Sequence, residues 1–135
     1  FHFANLALRG SKMRNIMGSQ LEAALRLQPD LVTVMAGSND FSTNDLAGLE
    51  VVFRDGLQLL QAAGCDVIVA NTIRPAHLKF FRKVLPRAFR MSQMIDRVAA
   101  ELNIPEGTLS SRLAAAKRKL ADRLARLATI LEEAS

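Results

Sequence analysis

The residues best suited to chemistry are Gly37-Ser38-Asn39-Asp40, which directly follow an apolar run. That run, residues 31–36, predicts a buried strand. A glycine ends the strand, and the loop presents a side-chain amide on Asn39 and a carboxylate on Asp40. The carboxyl edge of an open parallel sheet is where ligands bind. These two groups can therefore contact a ligand, although they can also simply cap the turn that follows.

Alternating strands and helices are predicted to position this loop. Ser11 is the predicted cap of the first helix, and Gly64 ends the second. Short connections between such elements require parallel pairing with right-handed crossovers. Nearly continuous apolar strands also predict helices on both faces of a doubly wound α/β sheet. The strands are predicted over 3–8, 31–36 and 67–70, and the helices over 12–27 and 46–63.

The second half of the chain predicts two more helices. The first spans 87–102, after an irregular segment that contains Pro75 and Pro86. Its predicted core face consists of Met91, Met94, Ile95, Val98 and Ala99. The second follows a break at 103–108 and has an apolar stripe at helical spacing. The stripe consists of Leu109, Leu113, Ala116, Leu120, Leu124, Leu127 and Leu131.

An ordered set of motifs over residues 3–100 resembles the SGNH (GDSL-type) hydrolase family. The set comprises Asn5-Leu6-Ala7 with Gly10, Gln20 with Leu21, Pro29-Asp30-Leu31-Val32 leading into Gly37-Ser38-Asn39-Asp40, and Ala63-Gly64 before the third strand. The resemblance implies a flavodoxin-like fold, with a parallel sheet of three visible strands flanked by helices. It also implies hydrolysis of carboxylic esters or acyl groups.

The same resemblance assigns roles to the motif residues. Ester hydrolysis passes through a tetrahedral oxyanion that needs preorganised hydrogen-bond donors. By resemblance, these donors are the backbone N–H of Gly10 and the side-chain amide of Asn39. Gly37 allows a sharp turn, and Asp40 is expected to anchor the loop through backbone N–H groups rather than act as a base.

The nucleophile and the base of that family are not recognisable in this sequence. They belong to a Gly-Asp-Ser upstream of the Gly10 motif and to an Asp-x-x-His, and neither pattern occurs here. His2 and His77 lack the required Asp, while Ser11 and Ser38 have no evident base. Because the first residue is Phe1, we expect the chain to be processed, truncated or part of a longer protein. We expect no esterase turnover from it as given.

The segment after residue 101 resembles region 4 of extracytoplasmic-function sigma factors. The matching residues are Ile104-Pro105-Glu106-Gly107-Thr108, then Ser111-Arg112-Leu113, then a basic helix. The resemblance implies a helix-turn-helix that binds duplex DNA, with 94–101 as its first helix. An amphipathic helix that packs on the sheet or on a second copy of the chain is the alternative. The implied DNA contacts are Thr108, Ser110, Ser111, Arg112, Lys117 and Arg118.

Charge and composition limit the other function classes. The net charge is +5, and two basic stretches, 74–97 and 108–126, suggest attraction to a polyanion or ordinary solvated helices. Cys65 is the single cysteine, so no internal disulfide can form and a small buried thiol is expected. No apolar run approaches the ~20 residues of a membrane span, and no secretory signal is recognised. We expect a cytoplasmic chain that needs no cofactor or metal.

The sequence therefore predicts an incomplete SGNH-hydrolase-like α/β domain over 1–100, followed by a helical, helix-turn-helix-like tail over 101–135. The leading interpretation is an inactive esterase-like domain whose substrate, once the site is complete, would be an ester or acyl small molecule. The second is a DNA-binding module of a sigma-factor-like protein. The third is an inactive scaffold that forms homo-oligomers through its C-terminal helix.

Overall fold

Two parallel strands form the sheet in the computed structural model, which describes residues 2–71, 83–104 and 109–133. For 109–117, 119 and 120 it describes the backbone. In chain order the elements are α1 (Met13–Asn15), a π-helical turn (Ile16–Gln20), α2 (Leu21–Arg26), β1 (Leu31–Val34), α3 (Leu46–Ala62), β2 (Asp66–Val69), α4 (Leu85–Glu101) and α5 (Leu109–Glu133). A mixed α/β fold with a small parallel sheet is thereby confirmed.

The two strands lie in register from Leu31 opposite Asp66 to Val34 opposite Val69. Helix α3 connects them, as parallel pairing requires. Burial alternates along both strands, because Val34, Val67 and Val69 are buried while Thr33 is exposed. One face of each strand is thus more deeply buried than the other, and the prediction that helices cover both faces stays a prediction.

The strand predicted over residues 3–8 does not form among the described residues. A strand needs a neighbouring backbone for its hydrogen bonds, and in the described ranges none pairs with this segment. Two of its backbone groups form local hydrogen bonds instead. The Ala7 N–H donates to Oδ1 of Asn5 at 3.0 Å, and the Ser11 N–H donates to the Leu8 carbonyl at 3.2 Å. An apolar run was thus insufficient to predict a strand.

The first predicted helix is interrupted by a π-helical turn. Residues 16–20 form this wide turn, and Gly18, a weak helix former, lies within it. The turn packs against α3, where Gly56 leaves room for the side chain of Met17. A Cβ atom on Gly56 would approach Sδ of Met17 to 2.4 Å. This glycine therefore sets how closely the first helical segment approaches α3.

The hydrophobic core is centred on α3 and α4. Phe53 on α3 is fully buried, and Gly64, with a φ of 81°, ends that helix as predicted. The predicted core face of α4 is confirmed, since Met91, Met94, Ile95, Val98 and Ala99 are all buried. Asn71, directly after β2, donates to Oδ1 of Asp96 on α4 at 2.9 Å and so ties the end of the strand to this helix.

Charged side chains link α3 and α4, and others link the sheet to α5. Glu50 on α3 accepts from Arg54 at 3.1 Å and from Arg97 of α4 at 2.5 Å. Arg123 of α5 lies 3.4 Å from Asp30 and 3.7 Å from Asp66, at the amino ends of the strands. These pairs place α5 at the sheet edge opposite the motif loop.

Candidate functional site

The loop after β1 turns sharply away from the strand at Gly37. The φ of Gly37 is 95°, a backbone conformation that other residues rarely adopt. The Asp40 N–H then donates to the Gly37 carbonyl at 3.2 Å, which closes the turn. The loop consequently leaves Ser38 and Asn39 exposed and Asp40 buried.

Asn39 lies against the segment that contains Gly10. Its Nδ2 donates to the Ser11 carbonyl at 3.1 Å, across 28 positions of sequence. Gly10 precedes that carbonyl and has a φ of 80°. The structure therefore brings the Asn39 amide and the Gly10–Ser11 backbone to the same edge of the sheet.

Asp40 also holds the motif loop against the segment that contains Gly10. Its side chain is 4% exposed, and Oδ2 accepts from the Met13 N–H at 2.9 Å. An anionic acceptor at the first turn of a helix satisfies a free N–H group and suits the positive end of the helix. Asp40 thus fixes the loop to the start of α1, which is the anchoring contact that the sequence predicted.

Ser11 does not cap the first helix, contrary to the sequence prediction. Lys12 occupies the cap position without a side-chain cap bond, and Oγ of Ser11 instead accepts from Nε2 of Gln20 at 2.9 Å. The cap is supplied by Asp40, which is distant in sequence. Asp45 is a local cap, since Oδ1 accepts from the Gly48 N–H at 2.9 Å at the start of α3.

The sequence did not predict two backbone groups that hold the site in place. These are the Ser11 carbonyl, which holds Asn39, and the Met13 N–H, which holds Asp40. Both are backbone groups, so no residue type signals them. A second link, from Arg14 to Asp45 at 2.8 Å, joins the same two segments and could have been suspected only from opposite charges.

Cys65 does not belong to this site. It is buried before β2, at the opposite edge of the sheet, and burial raises the pKa of its thiol, with further contributions from Asp30 and Asp66. A thiol that resists ionisation is a poor nucleophile. It lines a cavity of about 410 Å³ with Leu25, Gln28, Pro29, Asp30, Ala63 and Gly64.

The remaining candidate residues lie elsewhere or outside the described ranges. His2 is exposed, and His77 is outside the described residues, as is Thr108. Ser110, Ser111, Arg112 and Lys117 lie on α5, where the structure gives the backbone, and Arg118 is exposed. The arrangement of α4 and α5 as a helix-turn-helix stays a prediction because the connecting residues 105–108 are outside the described ranges.

The described residues contain neither a candidate metal site nor a candidate membrane span. No cluster of three or more His, Cys, Asp or Glu side chains in these ranges could hold a metal ion. No helix in them combines the length and the apolar character needed to cross a bilayer.

A solved protein shares this fold. The crystal structure of an acetyl xylan esterase, AlAXEase, superposes with a TM-score of 0.67 at 18% sequence identity. The match covers 85% of this chain and 63% of that chain, so the chain spans less than two thirds of the length of the esterase. At this identity the likeness shows the fold alone. No match was found among curated proteins.

A family match extends along almost all of the chain. Residues 1–132 match the GDSL-like Lipase/Acylhydrolase family. The matched range includes the segment that resembles sigma factor region 4, and no comparison shows that second resemblance, which stays a prediction. The chain belongs to the GDSL-like lipase/acylhydrolase family.

Proposed function

We propose that Gly10 and Asn39 form the oxyanion-stabilising side of an ester-hydrolysing site. The observation that carries this proposal is the hydrogen bond from Asn39 Nδ2 to the Ser11 carbonyl, at 3.1 Å. It joins two motifs that lie far apart in sequence at the edge of the sheet where ligands bind.

The hydrogen bonding of Asn39 suits an oxyanion donor. A side-chain amide carries two N–H donors, and the Ser11 carbonyl takes one of them. That bond fixes the orientation of the amide, while the second N–H can point towards a ligand. Donors held in place before the reaction stabilise developing charge without reorganisation. The exposure of Asn39 gives a substrate access to it.

Short acyl esters are the substrate class to test first. The family comprises lipases and acylhydrolases, and the solved protein of the same fold is an acetyl xylan esterase. We propose that a serine and a base complete the site, because the sequence lacks both the Gly-Asp-Ser and the Asp-x-x-His patterns of the family. The 135 residues then supply oxyanion donors without an activated nucleophile.

The chain of 135 residues is accordingly expected to show no esterase turnover. The measurement is release of p-nitrophenol from p-nitrophenyl acetate, with buffer and denatured chain as controls. Turnover above both controls that disappears in Asn39→Ala would show that the chain already holds a working nucleophile, and the proposed division of the site would be wrong.

Binding of a tetrahedral anion tests the oxyanion role without requiring turnover. Methylphosphonate resembles the charged intermediate, so its addition to ¹⁵N-labelled chain should shift the resonances of the Gly10 amide and the Asn39 side chain. Asn39→Ala should weaken this binding about tenfold, as expected for loss of one hydrogen bond to a charged group.

Asn15→Ala is the matched control, because Asn15 is an exposed asparagine on α1, outside the motif loop. It should leave the affinity at the Gly10 site unchanged. If methylphosphonate shifts neither Gly10 nor Asn39, or binds Asn39→Ala as tightly as the unmodified chain, these residues are not the anion donors.

A further inference from the structure

A second small cleft opens beside the motif loop, on the side that faces α4. Its volume is about 170 Å³, and its polar lining comes from Asp40, Thr43, Asn44, Arg87 and Arg90. One ordered water takes about 30 Å³. The cleft therefore has room for a group of several heavy atoms, directly beside the loop that carries Asn39.

Two arginines give this cleft a positive charge. Arg87 and Arg90 are three positions apart on α4, so they lie on the same side of the helix. In the part of the chain that the structure describes, neither forms an ion pair. Arg97 on the same helix, by contrast, is paired with Glu50. The guanidinium groups of the cleft are thus available to an external anion.

The other charges around the cleft reinforce this polarity. The carboxylate of Asp40 lines the cleft, but Oδ2 is already bound to the Met13 N–H. Helix α4 begins at Leu85, near the cleft, and the apolar side chain at its cap position, Val84, cannot accept from the first turn. The amino end of a helix carries a partial positive charge. The cleft therefore contains two guanidinium groups and lies near the positive end of a helix, whereas its one carboxylate, that of Asp40, is already hydrogen-bonded.

We infer that this cleft binds an anionic group carried by the ester substrate, so that the site prefers esters with a carboxylate or similar oxyanion. The guanidinium fork matches carboxylate geometry, and Thr43 and Asn44 add neutral hydrogen-bond donors. This preference rests on the proposed function, since Asn39 must hold the ester oxygen while Arg87 and Arg90 hold the anion.

Three probes separate the possible ligands. Monomethyl succinate carries an ester and a carboxylate, dimethyl succinate carries esters alone, and inorganic phosphate is an anion without an ester. Dissociation constants come from NMR titration of the ¹⁵N-labelled chain, which also shows where each probe binds. We expect monomethyl succinate to bind about tenfold more tightly than dimethyl succinate, with shifts at residues 40–46. Raising the salt to about 1 M should abolish this difference.

Variants assign the preference to the cleft. Arg87→Gln and Arg90→Gln should each reduce the ratio of the two ester affinities, and the double variant should bring it close to one. Arg26→Gln is the matched control, since Arg26 is an exposed helical arginine outside the cleft. Circular dichroism on each variant checks that the fold is retained.

The outcomes distinguish this inference from the proposed function. Asn39→Ala should weaken both esters equally and leave their ratio unchanged. If Asn39→Ala has no effect while the ratio still depends on Arg87 and Arg90, the oxyanion role fails and the anion site stands. Equal binding of the two esters, or a ratio unchanged in the double variant, overturns the inference. The inference is also overturned if inorganic phosphate binds at residues 40–46 as tightly as monomethyl succinate does.

Discussion

Asp40→Ala should lower the free energy of unfolding by about 1–3 kcal/mol, the cost of leaving a buried donor without an acceptor. Asp40 is 4% exposed, and its carboxylate accepts from the N–H of Met13, which is fully buried. Alanine would remove the acceptor while the N–H stays inaccessible to water. Urea unfolding followed by circular dichroism at constant pH measures the change.

Two further variants separate the hydrogen bond from the charge and from the substitution itself. Asp40→Asn keeps an oxygen acceptor of similar size, so it should destabilise less than Asp40→Ala. Asp55→Ala removes an exposed carboxylate from α3 and should change stability by at most about 0.5 kcal/mol. If Asp40→Ala were as mild as Asp55→Ala, Asp40 would not be the tertiary cap of α1.

The same variant should disturb the candidate site. Asp40 connects the motif loop to α1, and Asn39 is the preceding residue. Loss of the anchor frees the loop, so the Asn39 side chain should no longer hold one position against the Ser11 carbonyl. The change would appear as broadening or shift of the Asn39 side-chain amide resonances in the ¹⁵N-labelled variant.

The sequence predicted best those elements whose signals are local. Helix α3 was predicted to within one residue, because its apolar periodicity and the glycine at 64 both lie within the segment. The core face of α4 followed from the same periodicity. Strands β1 and β2 were predicted from apolar runs flanked by turn residues. Each signal depends on neighbours a few positions away.

The predictions that failed concern contacts between distant segments. Ser11 is a suitable cap by residue type, but Asp40 takes that role from 27 positions away. The segment 3–8 is apolar enough for a strand, yet strand formation depends on a partner that composition cannot specify. The pairing of Asn39 with the Ser11 carbonyl has the same long-range character. Periodicity carries no information about contacts between distant segments. The expectation that the Gly10 and Asn39 motifs meet therefore came from the family resemblance.

The C-terminal helix shows how a local motif can suggest two functions. Residues 104–113 resemble a DNA-binding turn, while the family match extends to residue 132. Helix periodicity and basic residues are common to both interpretations. The contacts of Arg123 with Asp30 and Asp66 attach α5 to the amino ends of the strands. This attachment is a tertiary contact between α5 and the sheet, and DNA binding by α5 stays a prediction.

Phe53→Ala should cause the largest loss of stability, about 3–5 kcal/mol, because it removes a large side chain from the centre of the core. Phe53 is fully buried on α3 among the apolar side chains that also come from α4 and the strands. Domains are typically stable by about 5–15 kcal/mol, so this one substitution would remove a large share of the total. The measurement is the urea midpoint at unchanged slope.

Phe89→Ala is the matched control, since it makes the same substitution at a side chain that is 54% exposed on α4. It should change the free energy of unfolding by at most about 0.5 kcal/mol. Both variants lose an aromatic ring from a helix, so the difference between their free energies of unfolding measures the contribution of burial. If Phe53→Ala were as mild as Phe89→Ala, the residue would not lie in a packed core, and the packing of α3 against α4 would have to be revised.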